Sequence, residues 1–345
     1  MSDDRLDIER PKALLEYLRR TDRIGISEAV EIRILEGGVS NRTVMVTLAD
    51  GESWVLKQAL EKLRVPVDWF SRPERIEREA AGLRWLPKLA PPEHFTPLVF
   101  EDPTEHLLAM QAVPQPHDNW KTVLLSGVVE PSAFRDFGAM LAGIHRQSYL
   151  RREEVQSAFE DRSFFETLRL EPYYRYTTGR VPGSEQFLGT LIDDTLRLRL
   201  ALVHGDFSPK NVLIHAGRLI LLDHEVIHFG DPAFDLGFSL THFVSKAHHL
   251  PALRNRFIDA AGEYWKSYVE TLGDLPWAGE LEPRAVRHTL ACLLARVAGR
   301  SCLEYLDPEE RSRQRQVVVS MLEAAPATIP AAITEFIERL EACPK

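Results

Sequence analysis

The chain has 345 residues, 44% apolar and 27% charged, with a net charge of −9, enough apolar material for a real core and a length that suggests two lobes. The acidic balance argues against a nucleic-acid binder working through general electrostatics. Three cysteines with no CxxC pair argue against a disulfide framework or a zinc site and fit a reducing compartment. The acidic opening Met-Ser-Asp-Asp is not expected to start a signal peptide, and no apolar run approaches the roughly 18 residues of a membrane span. A cytoplasmic protein with no membrane partner is expected.

Pro11 followed by Leu14, Leu15 and Leu18 predicts an amphipathic helix with proline in its first turn. The period then changes to two. Val30, Ile32 and Ile34 alternate, as do Val44, Val46 and Leu48, and Asp50-Gly51 signals a hairpin into the run from Ser53 to Lys57. An antiparallel sheet is expected there. "RIEREAAGLRWL" is rich in helix formers, a proline-laden segment runs from Pro87 to Pro97, and "HLLAMQAV" (106–113) reads as a buried strand. Pro114 and Pro116 follow at once and mark the expected boundary between an N-terminal lobe (1–113) and a C-terminal lobe (114–345). Beyond it the pattern is mostly helical, down to Ile333, Phe336, Ile337 and Leu340 on one face of a terminal helix. The fold class is α+β: a small antiparallel β-rich lobe joined to a larger, mainly helical one.

One stretch interrupts the helical lobe. "LVHGDFSPKNVLI" (202–214) sets His204, Asp206, Lys210 and Asn211 in a polar insert between two apolar runs, with Gly205 and Pro209 shaping the turn. Asp206 and Asn211 are five apart, and Asp223 comes 12 residues after Asn211, at the end of a second apolar run. A hairpin through Ala216-Gly217 would gather Asp206, Asn211, Asp223 and Glu225 into one cluster. Packed carboxylates are costly unless a cation neutralises them, and hard oxygen donors without cysteine favour Mg²⁺ beside substrate phosphates. The spacing is that of a kinase catalytic loop followed by its metal-binding aspartate.

"VHGDFSPKNVLI" with "LLDHE" and "GDPAFDLG" resembles the aminoglycoside phosphotransferase and choline kinase superfamily, small-molecule kinases with a protein-kinase-like bilobal fold. "ILEGGVSNRTVMV" is similar to the family's phosphate-covering loop, "WVLKQAL" to the strand with the phosphate-binding lysine, and "LLAMQAV" to the hinge that pairs with adenine. The resemblance implies an ATP- and Mg²⁺-dependent transfer to a hydroxyl of a small molecule. Asp206 would act as catalytic base, supported by Lys210 and His204, with Asp231 and Asp235 behind the loop. Asn211, Asp223 and Glu225 would hold the metal. Gly37, Gly38, Ser40, Asn41, Lys57, Glu79, Gln111 and Val113 would bind the nucleotide. Glu79 is favoured over Glu74 and Glu77 as the partner of Lys57 by its spacing to Leu83.

"VLKQAL" and the Asp223-His224-Glu225 triplet look most like methylthioribose kinases, which would suggest a homodimer. Arg296 falls where those kinases carry a substrate-binding arginine, although Ala295 stands where a paired arginine is expected. Arg296 and Arg300, four apart on one expected helix face, would meet the acceptor or pair with Glu304. "LRLEPYYRY" (168–176) divides evenly between a pocket wall, with Arg169, Tyr173 and Tyr174 facing the acceptor, and interlobe packing. His248-His249 reads as a solvated helix end. The acceptor stays open among a methylthioribose-like sugar, an aminoglycoside and an amino alcohol. A non-catalytic, pseudokinase-like nucleotide sensor is the alternative, disfavoured because Lys57, Asp206, Asn211 and Asp223 are all present. Protein kinase activity ranks last, because only about ten residues separate Asp223 from Asp235 and leave little room for a peptide platform.

Overall fold

Helix α1 (Pro11–Arg20) buries Leu14, Tyr17 and Leu18 against one face of a five-stranded antiparallel sheet. The strands are β1 (Glu31–Ile34), β2 (Asn41–Thr47), β3 (Ser53–Ala59), β4 (Leu98–Asp102) and β5 (Leu107–Gln111), in the order β1-β2-β3-β5-β4. The computed structural model describes residues 6–36, 38–65 and 68–343. The hairpin between β2 and β3 turns at Asp50-Gly51 as expected, with Gly51 at φ 91°, a backbone region glycine enters without a steric penalty.

Alternation along β3 sorts its side chains. Trp54 and Leu56 join the cluster under α1, while Ala59 faces helix α2 (Arg75–Trp85) with Ile76, Ala80, Leu83, Leu108 and Met110. Lys57 lies on this second face, opposite Leu108 of β5. The strand period therefore aims the lysine at the helix that carries Glu79.

The rest of the chain is mostly helical. Strand β6 (His117–Asn119) leads into α3 (Trp120–Leu125), α4 (Pro131–Leu150) and α5 (Arg152–Phe159), then a wide π-helical stretch (Glu166–Arg175), and α6 (Glu185–Arg197). Strands β7 (Ala201–Val203), β8 (Val212–His215), β9 (Arg218–Leu221) and β10 (His228–Gly230) follow, then α7 (Ala233–His249), α8 (Arg254–Leu272), α9 (Leu281–Ala298), α10 (Pro308–Met321) and α11 (Ile329–Ala342). Strands β8 and β9 form the expected hairpin through Ala216-Gly217, with β6 alongside β8, while β7 pairs with β10. The turns leaving β7 and β9 thus stand side by side. One large core unites α4, α7, α8, α9 and α11.

Two expectations need correction. His248 is buried and His249 bonds Glu310 through Nδ1 at 3.0 Å, because α10 covers the end of α7. Helix α9 ends at Ala298, so Arg300 lies in the turn beyond it and does not share a helix face with Arg296.

Burial holds the imidazoles of His204, His224, His228, His242, His248 and His288 below their ordinary pKa, that of His228 at about 4. An unfolded chain would take up these protons near the ordinary value of about 6.5, so between that pH and about 4 the unfolded state binds more protons and stability rises with pH. The urea midpoint is therefore expected to fall steeply on acidification from pH 7 to 5. A flat profile would show that the buried histidines accept protons in the folded state.

Candidate active site

The turn after β7 is built by its own residues. Gly205 takes φ 77°, and the backbone N–H groups of His204 and Gly205 donate to the two carboxylate oxygens of Asp235 at 2.7 and 2.8 Å. Asp235 lies fully buried in the first turn of α7, so the helix fixes the loop from behind. His204 Nδ1 accepts from the N–H of Asp206 at 3.2 Å, and its Nε2 lies 3.0 Å from His224 Nδ1. The supporting roles expected of His204 and Asp235 match this geometry. Asp231 does something else, pairing with Arg284 at 3.3 Å and accepting from the N–H of Ala233 at the start of α7.

Asp206 Oδ2 accepts from Asn211 Nδ2 at 2.7 Å and pairs with Arg169 Nη2 at 2.9 Å. Arg169 Nε also donates to the Gly205 carbonyl at 2.8 Å. Burial alone would disfavour its charge, yet Asp206 outweighs burial and raises its pKa. With its amide nitrogen engaged by Asp206, Asn211 keeps Oδ1 for another partner. Lys210 lines the same cavity, and its carbonyl accepts from Asn119 Nδ2 at 2.7 Å.

Lys57 Nζ sits 2.6 Å from Glu79 Oε1 and 3.0 Å from Asp223 Oδ1. Glu79, and neither Glu74 nor Glu77, is therefore the partner. Burial opposes the ammonium charge, but the two carboxylates more than offset it and the pKa of Lys57 is raised. Burial likewise opposes ionised Asp223, and Lys57 and then Lys210 outweigh it, leaving its pKa lowered. Asp223 adopts φ 69°, uncommon for a residue with a side chain, in the turn that directs its carboxylate at Lys57. The Lys57–Asp223 contact thus bridges the sheet and the helical region.

Glu225 Oε2 pairs with Arg75 Nε at 3.1 Å and accepts from Asn41 Nδ2 at 3.4 Å. Arg75, fully buried, donates further to the carbonyls of Ser40, Leu60, Ser71 and Arg72. The loop between β1 and β2 is thereby tied to the triplet that follows β9. Gly37 lies outside the described residues, whereas Gly38, Ser40 and Asn41 line the cavity.

Two cavities meet at Gly38, Thr43, Lys57 and Leu222. One, of about 810 Å³, runs along Val55, Met110, Gln111, Val113 and Leu213. The N–H groups of Gln111 and Ala112 are engaged by the carbonyls of Pro97 and Ser53, whereas that of Val113 donates to no group among the described residues. An unused donor beside an apolar slot suits a planar, hydrogen-bonding ring. The other cavity, of about 370 Å³, holds Asp206, Asn211, Asp223, Glu225, Lys210, Arg169, Tyr173, Arg296 and Arg300. Tyr173 belongs to it, but Tyr174 does not. Its hydroxyl bonds His288 Nδ1 at 2.8 Å and lies 3.2 Å from Cys292 Sγ, deep in the core.

Among the described residues no three His, Cys, Asp or Glu side chains group as a self-sufficient metal site. The free amide oxygen of Asn211 and the carboxylates of Asp223 and Glu225 nevertheless share the cavity, and such a partial oxygen set suits Mg²⁺ that completes its shell with phosphate and water.

Several residues that build this site carry no local signal of it: Arg75, Asn119, His242 and Gly82. A Cβ on Gly82 of α2 would lie 2.7 Å from the Cβ of His224, so only glycine lets the helix of Glu79 rest against the Asp223 turn. Gly82→Ala is expected to push α2 away, costing about 1–3 kcal/mol and weakening nucleotide binding through the Lys57–Glu79 pair. Thermal unfolding and nucleotide titration of that variant check both effects, and unchanged values would remove the close packing from the account.

A two-lobed fold with a lysine–glutamate pair on its sheet and an Asp-x4-Asn turn with a following Asp on its helical side is protein-kinase-like. Solved structures agree. A choline/ethanolamine kinase family protein from Mesorhizobium loti matches with a TM-score of 0.57 at 14% identity, over 98% of this chain and 100% of that one. The amicoumacin kinase hAmiN matches with a TM-score of 0.57 at 13% identity, over 93% and 97% of the two chains. In sequence, methylthioribose kinase from Pectobacterium atrosepticum is 25% identical over 268 residues, which cover 66% of this chain and 66% of that one. The chain thus spans just under two thirds of that relative's length. Residues 31–270, more than half of the chain, match the phosphotransferase enzyme family, APH, and the chain belongs to that family.

Proposed function

We propose that the protein is an ATP-dependent kinase that moves the γ-phosphoryl group to a hydroxyl of a small molecule. The observation that carries this reading is the convergence of Lys57, Asp206, Asn211 and Asp223 on one cavity beside an apolar slot. Adenine would occupy the slot, meeting the Val113 N–H and the backbone at Gln111. Lys57, kept charged by Glu79 and Asp223, would fix the α- and β-phosphates, with Gly38, Ser40 and Asn41 covering them. Asn211 and Asp223 would hold Mg²⁺, with the second oxygen of Glu225 in reach directly or through water. The ion supplies charge neutralisation on the phosphates.

Asp206, oriented by Arg169 and Asn211, would take the proton of the acceptor hydroxyl. That oxygen forms the new bond to the γ-phosphorus as the bond to the β-phosphate oxygen breaks and ADP departs. Lys210 would accompany the transferred group. Such a site works mainly by alignment and charge stabilisation.

The relatives are named for different acceptors: methylthioribose, choline or ethanolamine, and amicoumacin. A shared fold therefore does not choose among them. The test is ADP release from Mg²⁺-ATP with methylthioribose, related pentoses, aminoglycosides, choline and homoserine, run beside Asp206→Asn. Acceptor-dependent release that disappears in the variant supports the reading. Failure to bind ATP would sink it.

A further inference from the structure

The inner wall of the smaller cavity carries positive charge that nothing in the fold neutralises. Three of the cations near the phosphate end have a carboxylate partner: Lys57 has Glu79 and Asp223, Arg169 has Asp206, and Arg75 has Glu225, while Lys210 beside them faces the cavity with no carboxylate within ion-pair distance among the described residues. The wall formed by Tyr173, His242, Arg296, Arg300 and Ser301 differs. Arg296, 7% exposed, bonds only neutral groups among the described residues, with Nη1 donating to Tyr173 Oη at 3.1 Å and to Ser301 Oγ at 2.8 Å, and its Nε has no partner. Arg300 stands over the ring of Tyr176 at 5.0 Å, and neither arginine has a carboxylate within ion-pair distance among the described residues. His242, 3% exposed, leaves Nε2 without a partner.

One turn further along α7, Lys246 is fully buried, and its ammonium donates to the His242 carbonyl at 3.2 Å. The hydroxyls of Ser245 and Tyr305 beside it are also buried without partners. Glu304, the carboxylate expected to meet these arginines, pairs instead with Lys121. Burial, then Lys121 and Arg296, push the pKa of Lys246 down to about 7, a sign of uncompensated positive potential here. Buried cations are retained at a large desolvation cost unless an anion joins them.

We infer that the acceptor carries, besides the hydroxyl it gives up, an anionic group, a carboxylate or a phosphate, that docks against Arg296, Arg300 and His242. Lys246 acts behind His242 as a positioning residue that supplies field. This names the acceptor class of the kinase proposed above and rests on that reading. The same wall disfavours polycationic aminoglycosides and choline, which would face these charges without a balancing acid.

The experiment compares acceptors matched in shape and different in charge. Ribonate and ribose 5-phosphate are set against ribose, and glycerate against glycerol, with Mg²⁺-ATP and wild-type protein. The anionic member is expected to show kcat/KM higher by about 10- to 100-fold, the range of one charge-assisted hydrogen bond, and the two anionic arms separate carboxylate from phosphate. That preference is expected to collapse in Arg296→Gln and to shrink, chiefly through KM, in Lys246→Met. Without nucleotide, inorganic phosphate or oxalate is expected to raise the melting temperature of the wild type more than that of Arg296→Gln, which separates this wall from Lys57. Turnover that prefers the neutral or cationic acceptor overturns the inference and leaves the kinase standing. Protection by anions that is equal in wild type and Arg296→Gln overturns it as well. Failure to bind Mg²⁺-ATP removes the kinase reading, and the anion-protection arm then decides whether the wall binds anions at all.

Discussion

Asp206→Asn is expected to lower kcat by about 10²–10⁴-fold, the usual contribution of a positioned general base, while the dissociation constant for Mg²⁺-ATP changes little. The two effects separate because the groups are separate. On the proposed reading nucleotide contacts would come from Lys57, the β1–β2 loop and the Val113 N–H, whereas Asp206 is held by Arg169 at 2.9 Å and by Asn211 at 2.7 Å in the neighbouring cavity. Asn211 and Arg169 both reach the same oxygen, Oδ2, so the asparagine oxygen can still accept from both, but without the negative charge. Some loss of stability is therefore expected beside the loss of turnover, because a buried arginine loses its counter-charge. Single-turnover rates, nucleotide titration and thermal unfolding of the same preparation distinguish the effects. A fall in kcat below about 10-fold would show that no proton transfer of consequence passes through this carboxylate.

Much of this site can be read in the sequence because its polar residues are packed into a short stretch. Asp206 and Asn211 stand just before, and Asp223 just after, one short hairpin that turns at Ala216-Gly217. The sheet is legible for a similar reason, since a period of two with an Asp-Gly turn has few other outcomes. What fails to show is whatever depends on distant packing. Arg75 is one arginine of several in "RIEREAAGLRW", and only its contact with Glu225, 150 residues away, sets it apart. Tyr173 and Tyr174 are neighbours in sequence, yet the π-helical turn sends one to the cavity and the other to His288. Arg300 looks like the next turn of the helix of Arg296 until Gly299 ends it. The misreading of His248-His249 has the same root, because polarity alone says nothing of α10 lying over them. Local pattern specifies elements and turns, while the charge environment of the cavity belongs to the assembled fold.

Arg75→Met should be among the most damaging single substitutions outside the hydrophobic core. The side chain is fully buried and holds Glu225 at 3.1 Å together with four backbone carbonyls, including that of Ser40 in the β1–β2 loop. Methionine fills comparable space but leaves the Glu225 carboxylate buried without its cation. Breaking such a pair from one side costs about 3–5 kcal/mol, a large fraction of the roughly 5–15 kcal/mol that holds a typical domain together. Removing the charge at the same time tests whether the cost is electrostatic. Arg75→Met combined with Glu225→Gln should recover part of the loss, with a coupling of about 1 kcal/mol or more between the two positions. Urea unfolding of the two single variants and the double variant closes that cycle. Additive losses would mean that the arginine acts through the Ser40, Leu60, Ser71 and Arg72 carbonyls, which leaves Glu225 available for the proposed metal role. Strong coupling would mean that this ion pair sets the position of the β1–β2 loop, proposed to cover the phosphates, and the Mg²⁺-ATP affinity of the single variants should then fall in step with their stability.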